Sequence, residues 1–491
     1  MPAGNRKEGF ARYESVGDDY LRERRLKKSA GWILLWALGV GAVISGDFSG
    51  WNFGLQHGGF AGLALATLVM ALMYITLVAS IAELSAALPH AGGFYSFVRN
   101  ALGPTAGYLC GVSDTIEYVL TPATVAVLIG GYLSSLVPGL PPWIGWLAVY
   151  GVFLAVNVRG AELTLRLGLA ITILAVGVLA LFYVAALASG EFAWGKLWNI
   201  PGPPGSTEAL LPHGWSGVLA ALPFAAWFYL AIEQLPLAAE ESRNVVSDMP
   251  RALIFGIATL LVLSLLTLVL NTGVGQGAVQ MQSSAAPLCD GFTAIFGDGL
   301  LTRILTFLAL AGLIASFHTI VYAYGRVLFA LSRAGYFPRW ISVTSRWHTP
   351  HRALLVGCVV GLACAFGIES AGEQSNVGAA LLNMSVAGAV ISYTLVLVSF
   401  IVLRIRRPDL ARPYRSPLGI PGASLGAGLS LIVLIACFTV EEYRHAMYAV
   451  AAILAAAAAY FFLYSRRRLV GRAPEEEAAL VASAEAELAH R

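Results

Sequence analysis

The chain has 491 residues, of which 58% are hydrophobic and 12% charged, whereas soluble proteins average about 25% charged residues. Apolar runs long enough to cross a bilayer recur throughout, which excludes a soluble protein and predicts a polytopic membrane protein. The net charge is only +3, and the five cysteines show no CxxC or histidine-linked spacing, so neither a disulfide framework nor a metal site is predicted.

Twelve apolar segments predict an all-α integral membrane protein with twelve transmembrane helices. We place them at about residues 31–55, 59–85, 105–136, 142–158, 164–188, 215–238, 252–274, 300–330, 352–369, 377–403, 419–440 and 446–465. Lys and Arg are concentrated in alternate connections and in the terminal tails, 1–29 and 466–491, so the positive-inside rule predicts cytoplasmic termini. The N-terminal tail lacks an apolar core next to a small-residue cleavage site, so we expect no cleaved signal peptide.

The first predicted span contains polar residues at membrane depth. Its candidate site residues are Ser45, Gly46, Asp47, Ser49, Gly50 and Trp51. An ionisable group such as Asp47 is unfavourable inside a bilayer unless it faces a cavity or a partner. Gly46 and Gly50 allow the backbone to leave helical geometry, which predicts a discontinuous helix that forms half of a solute site. Alternatively, Gly46, Gly50 and Gly54 form a close-packing face for another helix.

The connection after the second span is unusually apolar for a loop. Pro89 and the pair Gly92 and Gly93 end one helix and allow a tight re-entry, and the aromatic residues that follow suit a membrane interface. We therefore predict a short interfacial helix here, with an ordinary loop as the alternative.

The third span carries a polar stripe on one helix face, formed by Asp114, Glu117, Thr121 and Thr124. Two acids one turn apart repel each other if both are ionised in a medium of low dielectric constant. Because Glu117 lies near the middle of the span, we expect one of the two acids to hold a proton or to meet a cation. The alternative is a helix face that packs against polar neighbours.

The sixth span is as irregular as the first. Its candidate site residues are Trp227, Phe228, Tyr229 and Glu233. Pro223 and Pro236 flank this cluster, and proline removes a helical hydrogen bond, so a second break is predicted. Irregular spans in corresponding positions of two halves indicate a transporter site and suggest two inverted five-span repeats. The first repeat is predicted at residues 30–188 and the second at residues 215–404, with an external loop between them at residues 189–214. Two further spans follow at residues 405–465.

The eighth span supplies candidates for ion coupling, which are Ser316, His318 and Thr319. His318 is titratable and lies near the centre of the span, which makes it a candidate proton relay; a packed, hydrogen-bonded core residue is the alternative. Ser316 and Thr319 could belong to a sodium site, but they are not an adjacent hydroxyl pair. The tail beyond Arg468 is expected to be a solvated end without evident chemistry.

Several stretches together resemble the amino acid–polyamine–organocation transporter superfamily. They are residues 89–95 after span two, residues 239–241 with Asn244 after span six, and Arg326 with residues 331–338 after span eight. Residues 43–47, 50–52 and 226–233, and Glu117-Tyr118-Val119 with Pro122, most resemble bacterial ethanolamine permeases, which tend to have glycine where this chain has Gln234. The resemblance implies a five-plus-five inverted repeat with broken helices 1 and 6, and secondary transport across the bacterial inner membrane.

A carboxylate at the predicted break in span one favours an amine over an amino acid as the substrate. Asp47 would repel a substrate carboxylate at low dielectric constant. Asp47, Glu117 and Glu233 supply negative charge for an ammonium group instead, and the aromatic residues of spans one and six could shield it by cation–π contact. We therefore predict secondary active import of a small organic amine by alternating access, with ethanolamine as the leading candidate substrate.

The alternative is an amino acid permease or exchanger of the same superfamily. Two ions are candidates for coupling. One is a proton carried by Glu117, Glu233 or His318, and the other is a sodium ion bound near Ser316 and Thr319. We expect no enzyme, since a membrane enzyme would need a catalytic constellation at the membrane face, such as HExxH or a paired His/Asp motif, and we find none there. The predicted partners are the solute, the coupling ion and the lipid bilayer, whereas neither a cofactor nor nucleic acid is expected; the oligomeric state stays open. A channel is a further alternative, but paired breaks fit alternating access better.

Overall fold

The computed structural model describes residues 7–8, 10–14, 16–90, 92–137, 139–202, 210–371, 377–439, 444–477 and 479–481. Within these residues, ten helices are long and apolar enough to cross a membrane. This confirms an all-α membrane protein. Two further apolar segments, which match predicted spans one and six, are broken into shorter helices. The count of twelve crossings and the cytoplasmic position of the termini remain predictions.

The helices are α1 Asp18–Arg22, α2 Trp32–Val43, α3 Ser45–Phe48, α4 Gly54–Ala87, α5 Gly93–Leu102, α6 Pro104–Leu136, α7 Pro142–Arg159, α8 Ala161–Ala188, α9 Gly214–Ala226, α10 Val245–Thr272, α11 Ala278–Met281, α12 Pro287–Phe296, α13 Leu300–Arg333, α14 His351–Ala371, α15 Val377–Arg406, α16 Gly419–Thr439 and α17 Arg444–Leu463. Short 3-10 helices cover Trp51–Phe53, Trp194–Trp198, Ile232–Glu241 and Ser465–Arg467. Three short strands are β1 Lys7–Glu8, β2 Ala11–Glu14 and β3 Leu469–Val470.

Local sequence explains where these helices turn. Gly59 has φ 62° inside α4, so the residues ahead of it continue span one and the rest of α4 forms span two. The helix expected after span two is present as α5, but its residues 93–99 are buried within the protein. The helices α11 and α12, between α10 and α13, were not predicted.

The packing of the helices places the two broken segments in the interior. The helix α2 packs against α8, α10 and α13, while α9 packs against α4 and α16. The large apolar side chains that are exposed lie on the outer faces of the long helices; examples are Leu68, Val152, Phe255, Phe307 and Ile435. Such a surface is suited to lipid. The interior, by contrast, holds the polar residues that the sequence singled out.

The expectation of a solvated C-terminal tail is wrong for the part of the tail that the structure describes. The strand β3 pairs in parallel with β2, and the carboxyl groups of Glu475 and Glu476 are fully buried. Glu476 accepts hydrogen bonds from the hydroxyls of Tyr95, at 2.7 Å, and Tyr336, at 2.9 Å, and from Arg99 Nε, at 2.6 Å. An acidic segment can be buried when cations and hydroxyl groups inside the protein pair with its carboxylates, as they do here.

The neighbouring Glu475 joins the tail to the end of α13. Its Oε1 lies 2.6 Å from Arg333, which also pairs with Glu240 at 2.5 Å. Burial raises the pKa of Glu475, and the guanidinium of Arg333 offsets part of that rise. The tail, α13 and the end of the second broken segment therefore meet in one buried network of charges.

Replacing Glu476 by glutamine is expected to destabilise the protein, because it removes the charge that pairs with Arg99 in a buried environment. Breaking a buried ion pair by removing one partner costs about 3–5 kcal/mol. Glu477 is exposed, so Glu477→Gln serves as the matched control and should change stability by less than about 0.5 kcal/mol. Thermal unfolding in detergent measures both variants; equal melting temperatures would show that the tail is not docked.

Candidate substrate site

The first predicted break is present, and it lies at Ser49 and Gly50. The short helix α3 ends at Phe48, Ser49 is extended, and Gly50 has φ 97°, a conformation that favours glycine. Trp51 then begins a 3-10 helix. We call Ser49 and Gly50 the first break. Gly46, which was expected to help interrupt the helix, lies inside α3 instead.

The second predicted break is also present, between α9 and the 3-10 helix that starts at Ile232. Residues 227–231, which we call the second break, form turns, and Ala231 has φ 83°. A non-glycine residue in this left-handed region is strained, and such strain is often found at functional sites. The N–H of Ala231 donates to Glu233 Oε1 at 3.1 Å, so the acid holds the strained residue in place.

The two broken segments lie directly against each other. A Cβ atom on Gly46 would lie 2.4 Å from the carbonyl oxygen of Trp227, and one on Gly50 would lie 2.7 Å from Trp227 Nε1. The rings of Trp51 and Phe228 stack with their centroids 5.7 Å apart. Gly46 is therefore needed for close approach of two backbones rather than for flexibility.

The candidate acids are all buried, but they do not form one cluster. Glu117 on α6 and Glu233 beyond the second break lie near each other and near the hydroxyl of Tyr393 on α15. Asp114 lies one helical turn from Glu117, as predicted for the polar stripe. This pair of glutamates therefore lies where the second broken segment meets α6 and α15.

Asp47 faces a different group of helices. It lies near the hydroxyls of Thr267 on α10 and Tyr183 on α8, and neither of its carboxyl oxygens has a hydrogen-bond partner among the described residues. Ser45, two residues earlier, bonds to Ser316 on α13. Residues two apart on a helix point about 200° apart, so Ser45 and Asp47 cannot both face the same neighbours.

The Asp47 region contains a further polar residue that the sequence did not single out. Asn271 follows Thr267 by one helical turn and lies on the same face of α10. It is fully buried, and both atoms of its amide group are without a hydrogen-bond partner in the part of the chain that the structure describes. A lone asparagine in an apolar span gives too weak a signal to be recognised from sequence.

Aromatic side chains surround the two acidic regions. Tyr229 of the second break packs against Tyr74 of α4, with ring centroids 5.4 Å apart, and its hydroxyl lies 2.9 Å from that of Ser264 on α10. Tyr74 in turn contacts Tyr393, with centroids 5.5 Å apart. Tyr74 and Tyr393 were not predicted as site residues, because tyrosines are also common elsewhere in membrane spans.

The basic candidates do not neutralise these acids. His318 lies between α7 and α8, where its Nε2 is 2.9 Å from the carbonyl oxygen of Thr164 and its Nδ1 is 3.3 Å from Asn157 Nδ2. Both ring nitrogens are thus engaged, as in a packed core histidine. Arg326 pairs with Glu241 at 2.9 Å. Over the ranges described, no ion pair joins Asp47, Glu117 or Glu233 to a basic side chain.

The serine candidates link α13 to the first broken segment. Ser316 Oγ accepts from Ser45 Oγ at 2.9 Å and donates to the carbonyl oxygen of Ala42 at 2.5 Å. Thr319 Oγ1 donates to the carbonyl oxygen of Ala315 in its own helix, at 2.8 Å. Three oxygen atoms, from Ser45, Ser316 and Ala42, therefore lie together, whereas the Thr319 hydroxyl is used locally.

The broken segments are also joined at the end marked by Ala30 and Glu241. The N–H groups of Ser29 and Ala30 donate to the carbonyl oxygen of Glu241, and Arg243 N–H donates to that of Ala30 at 2.8 Å. The Glu241 carboxylate accepts from Tyr322 and Arg326 of α13. These contacts join the two broken segments and α13 at one end, which the predicted topology places on the cytoplasmic side.

Comparison with known proteins identifies the family. A family model described as amino acid permease matches residues 31–462. The chain belongs to the amino acid permease family. An uncharacterized transporter of Rhizobium meliloti is 28% identical over 391 residues, which are 78% of this chain and 80% of that protein.

Two further relatives of this permease have names that state a substrate. A branched-chain amino acid permease of Bacillus subtilis is 27% identical, and the match covers 86% of this chain and 91% of the relative. An aromatic amino acid transport protein of Salmonella typhimurium is 25% identical, with 76% and 80% covered. These relatives confirm a membrane transporter rather than an enzyme. They do not support ethanolamine, and they favour the alternative of an amino acid permease.

Replacing Gly46 by alanine is expected to force the two broken segments apart, because the new Cβ atom would collide with the Trp227 backbone. Overpacking of this kind costs about 1–3 kcal/mol. On α8, a Cβ atom at Gly177 would meet no neighbouring atom within 4 Å, so Gly177→Ala is the control and should be neutral or stabilising. Thermal unfolding in detergent is the measurement, and equal stability of the two variants would contradict the close contact.

Proposed function

We propose that this permease imports a small solute bearing an ammonium group, by alternating access around the two breaks. The observation that carries the proposal is the burial of Asp47, Glu117 and Glu233 without a basic partner among the described residues. Buried carboxylates that lack a counter-charge are unfavourable unless a proton or a cation meets them. A cationic solute and a coupling proton together supply what these acids lack.

Asp47 is the proposed contact for the ammonium group. Neither of its oxygens has a hydrogen-bond partner among the described residues, although the Thr267 hydroxyl lies nearby, whereas Glu233 already accepts from the Ala231 N–H. Asn271, one helical turn beyond Thr267 on α10, offers an amide that can bind a hydroxyl group and has no hydrogen-bond partner among the described residues. Tyr229, which also lies near Asp47, can shield the cation by cation–π contact.

Ethanolamine is the candidate substrate that these charges favour. It has an ammonium group for Asp47 and a hydroxyl for Asn271, and it brings no carboxylate that Asp47 would repel. Two N–H groups at the first break already have acceptors in this conformation: that of Ser49 donates to the carbonyl oxygen of Ser45, and that of Gly50 donates to Asn52 Oδ1.

A small neutral amino acid is the second candidate, and the relatives favour it. The named relatives are a branched-chain amino acid permease and an aromatic amino acid transport protein. Under this alternative the N–H groups of the first break would have to exchange their present acceptors for the carboxylate of the substrate. Asp47 would then have to hold a proton or turn away.

The pair Glu117 and Glu233 is the proposed carrier of a coupling proton. Two carboxyl groups that face each other in a buried site are stable together only when a proton or cation lies between them. A sodium ion near Ser45, Ser316 and Ala42 is the alternative, because three oxygens meet there. His318 is the weaker candidate, since both its nitrogens are already hydrogen-bonded.

Competition for uptake separates the two substrates. The purified permease is reconstituted into proteoliposomes. Uptake of labelled ethanolamine is then measured under an imposed proton gradient and, separately, under a sodium gradient. We expect unlabelled ethanolamine to compete fully and glycine and alanine to compete weakly, because the latter two carry a carboxylate. Uptake of labelled alanine with no inhibition by ethanolamine would establish the amino acid alternative.

The variant Asp47→Asn tests the ammonium contact. Removing the charge should abolish uptake of the cationic solute while the protein stays folded, since an amide fills the same space. Asp298 is exposed in the connection before α13, so Asp298→Asn is the matched control and should transport normally. Uptake by Asp47→Asn equal to that of the control would remove Asp47 from the site.

A further inference from the structure

A cavity of about 460 Å³ lies beside the junction of α7 and α8, away from the two breaks. Three segments line it: residues 27–29 ahead of α2, residues 159–166 across the junction, and residues 346–348 between α13 and α14. Each segment contains at least one lysine or arginine, and the predicted topology places all three on the cytoplasmic side. The transport proposal makes no use of this cavity.

The cavity has an excess of positive charge. Lys27, Arg159 and Arg346 line it, and none of the three forms an ion pair with any residue that the structure describes. The acid that lines it, Glu162, is already paired with Arg166 at 2.6 Å. Three positive charges therefore face the cavity without a compensating carboxylate.

Backbone donors face the same space. The helix α8 starts at Ala161 and runs for 28 residues, and its N-cap, Gly160, makes no side-chain capping bond. The first N–H groups of a helix have no acceptor within it, and the helix dipole adds partial positive charge there. The first residues of this turn, Ala161 to Leu163, all line the cavity. The N-terminus of a long helix with free N–H groups binds anions readily.

A buried hydroxyl gives independent support for a ligand. Ser29 lines the cavity and is only 6% exposed, yet its Oγ has no hydrogen-bond partner within the described chain. A buried polar group without a partner is unfavourable, so an external acceptor is expected. Cations, free backbone donors and an unpartnered hydroxyl are together the groups that bind a phosphate.

We propose that this cavity binds the phosphate of an anionic phospholipid headgroup. Leu163 and Trp347 border it and are 46% and 40% exposed, so apolar and interfacial side chains stand next to the cations. That combination suits the boundary between headgroups and acyl chains. A free phosphate has the same anionic chemistry but gains nothing from the exposed leucine and tryptophan.

An occupant of the cavity would touch the segment that holds the two broken helices together. The N–H of Ser29 donates to the carbonyl oxygen of Glu241 at 2.7 Å, next to the ion pair between Glu241 and Arg326. A headgroup that bridges residues 27–29 to the start of α8 would therefore favour the conformation in which this end of the permease is closed. Lipid binding and closure are then thermodynamically linked.

The test is a titration of the full-length permease in a neutral detergent with phosphatidylglycerol, phosphatidylcholine or inorganic phosphate. Thermal unfolding and native mass spectrometry report stabilisation and the number of retained lipids. We expect phosphatidylglycerol to stabilise the protein and to be retained, and phosphatidylcholine and millimolar phosphate to do neither. A basic residue near an anionic lipid contributes about 1 kcal/mol, so each cation removed should weaken binding about fivefold.

Variants locate the effect. The double variant Arg159→Gln with Arg346→Gln should bind phosphatidylglycerol about twenty-five-fold more weakly by the same conversion, and Arg159→Lys with Arg346→Lys should retain most of the affinity. Arg303 is exposed at the start of α13, on the opposite side by the predicted topology, so Arg303→Gln is the matched control. Unchanged binding in the double glutamine variant, or an equal loss in the control, would overturn the proposal. Full displacement of the lipid by millimolar phosphate would overturn the lipid as the occupant.

Discussion

The structure depends on one close contact, between the backbone of Gly46 and the carbonyl group of Trp227. Inside a bilayer, irregular backbone is tolerated only where it is buried in protein or lines a cavity. Two broken helices satisfy this condition together when each lies against the other. The absence of a side chain at Gly46 is what lets them approach, and the stacking of Trp51 on Phe228 covers the contact on one side. The positions of the candidates on the two broken segments follow from this arrangement.

The contact also separates the buried acids into two regions. Glu117 and Glu233 lie towards α6 and α15, whereas Asp47 lies towards α8 and α10. A single shared pocket would have to accommodate three carboxyl groups at once, with strong mutual repulsion. Two regions allow one to take a solute cation and the other a proton. Because both border the same pair of broken helices, a movement of either helix changes both, which is the physical requirement for coupling.

Part of this architecture could be predicted from the sequence, and the rest could not for identifiable reasons. Gly50 indicated the first interruption, because glycine acts locally on the backbone. Pro223 and Pro236 indicated the second only by flanking it, since both lie inside helices and the backbone leaves helical geometry at residues 227–231. The direction of Asp47 could not be predicted, since it depends on where the four-residue helix α3 ends. Asn271 gave no signal, because a single amide in a span resembles a helix contact. The docking of Glu476 onto Arg99 joins residues far apart in the chain, which composition cannot reveal.

One helix connects the candidate site to the network of buried charges around Glu240 and Glu241. Along α13, Ser316 bonds to the first broken segment, while Arg326 and Arg333 pair with Glu241 and Glu240 at the end of the second. Both arginines are almost fully buried, so separating either pair without a new partner leaves a charge in a poor solvent. Opening this end therefore requires water to enter as the pairs part. A partly separated pair without water would leave two uncompensated buried charges, so the ion pairs favour either an intact or a fully hydrated state over partial separation, as the proposed alternating access requires.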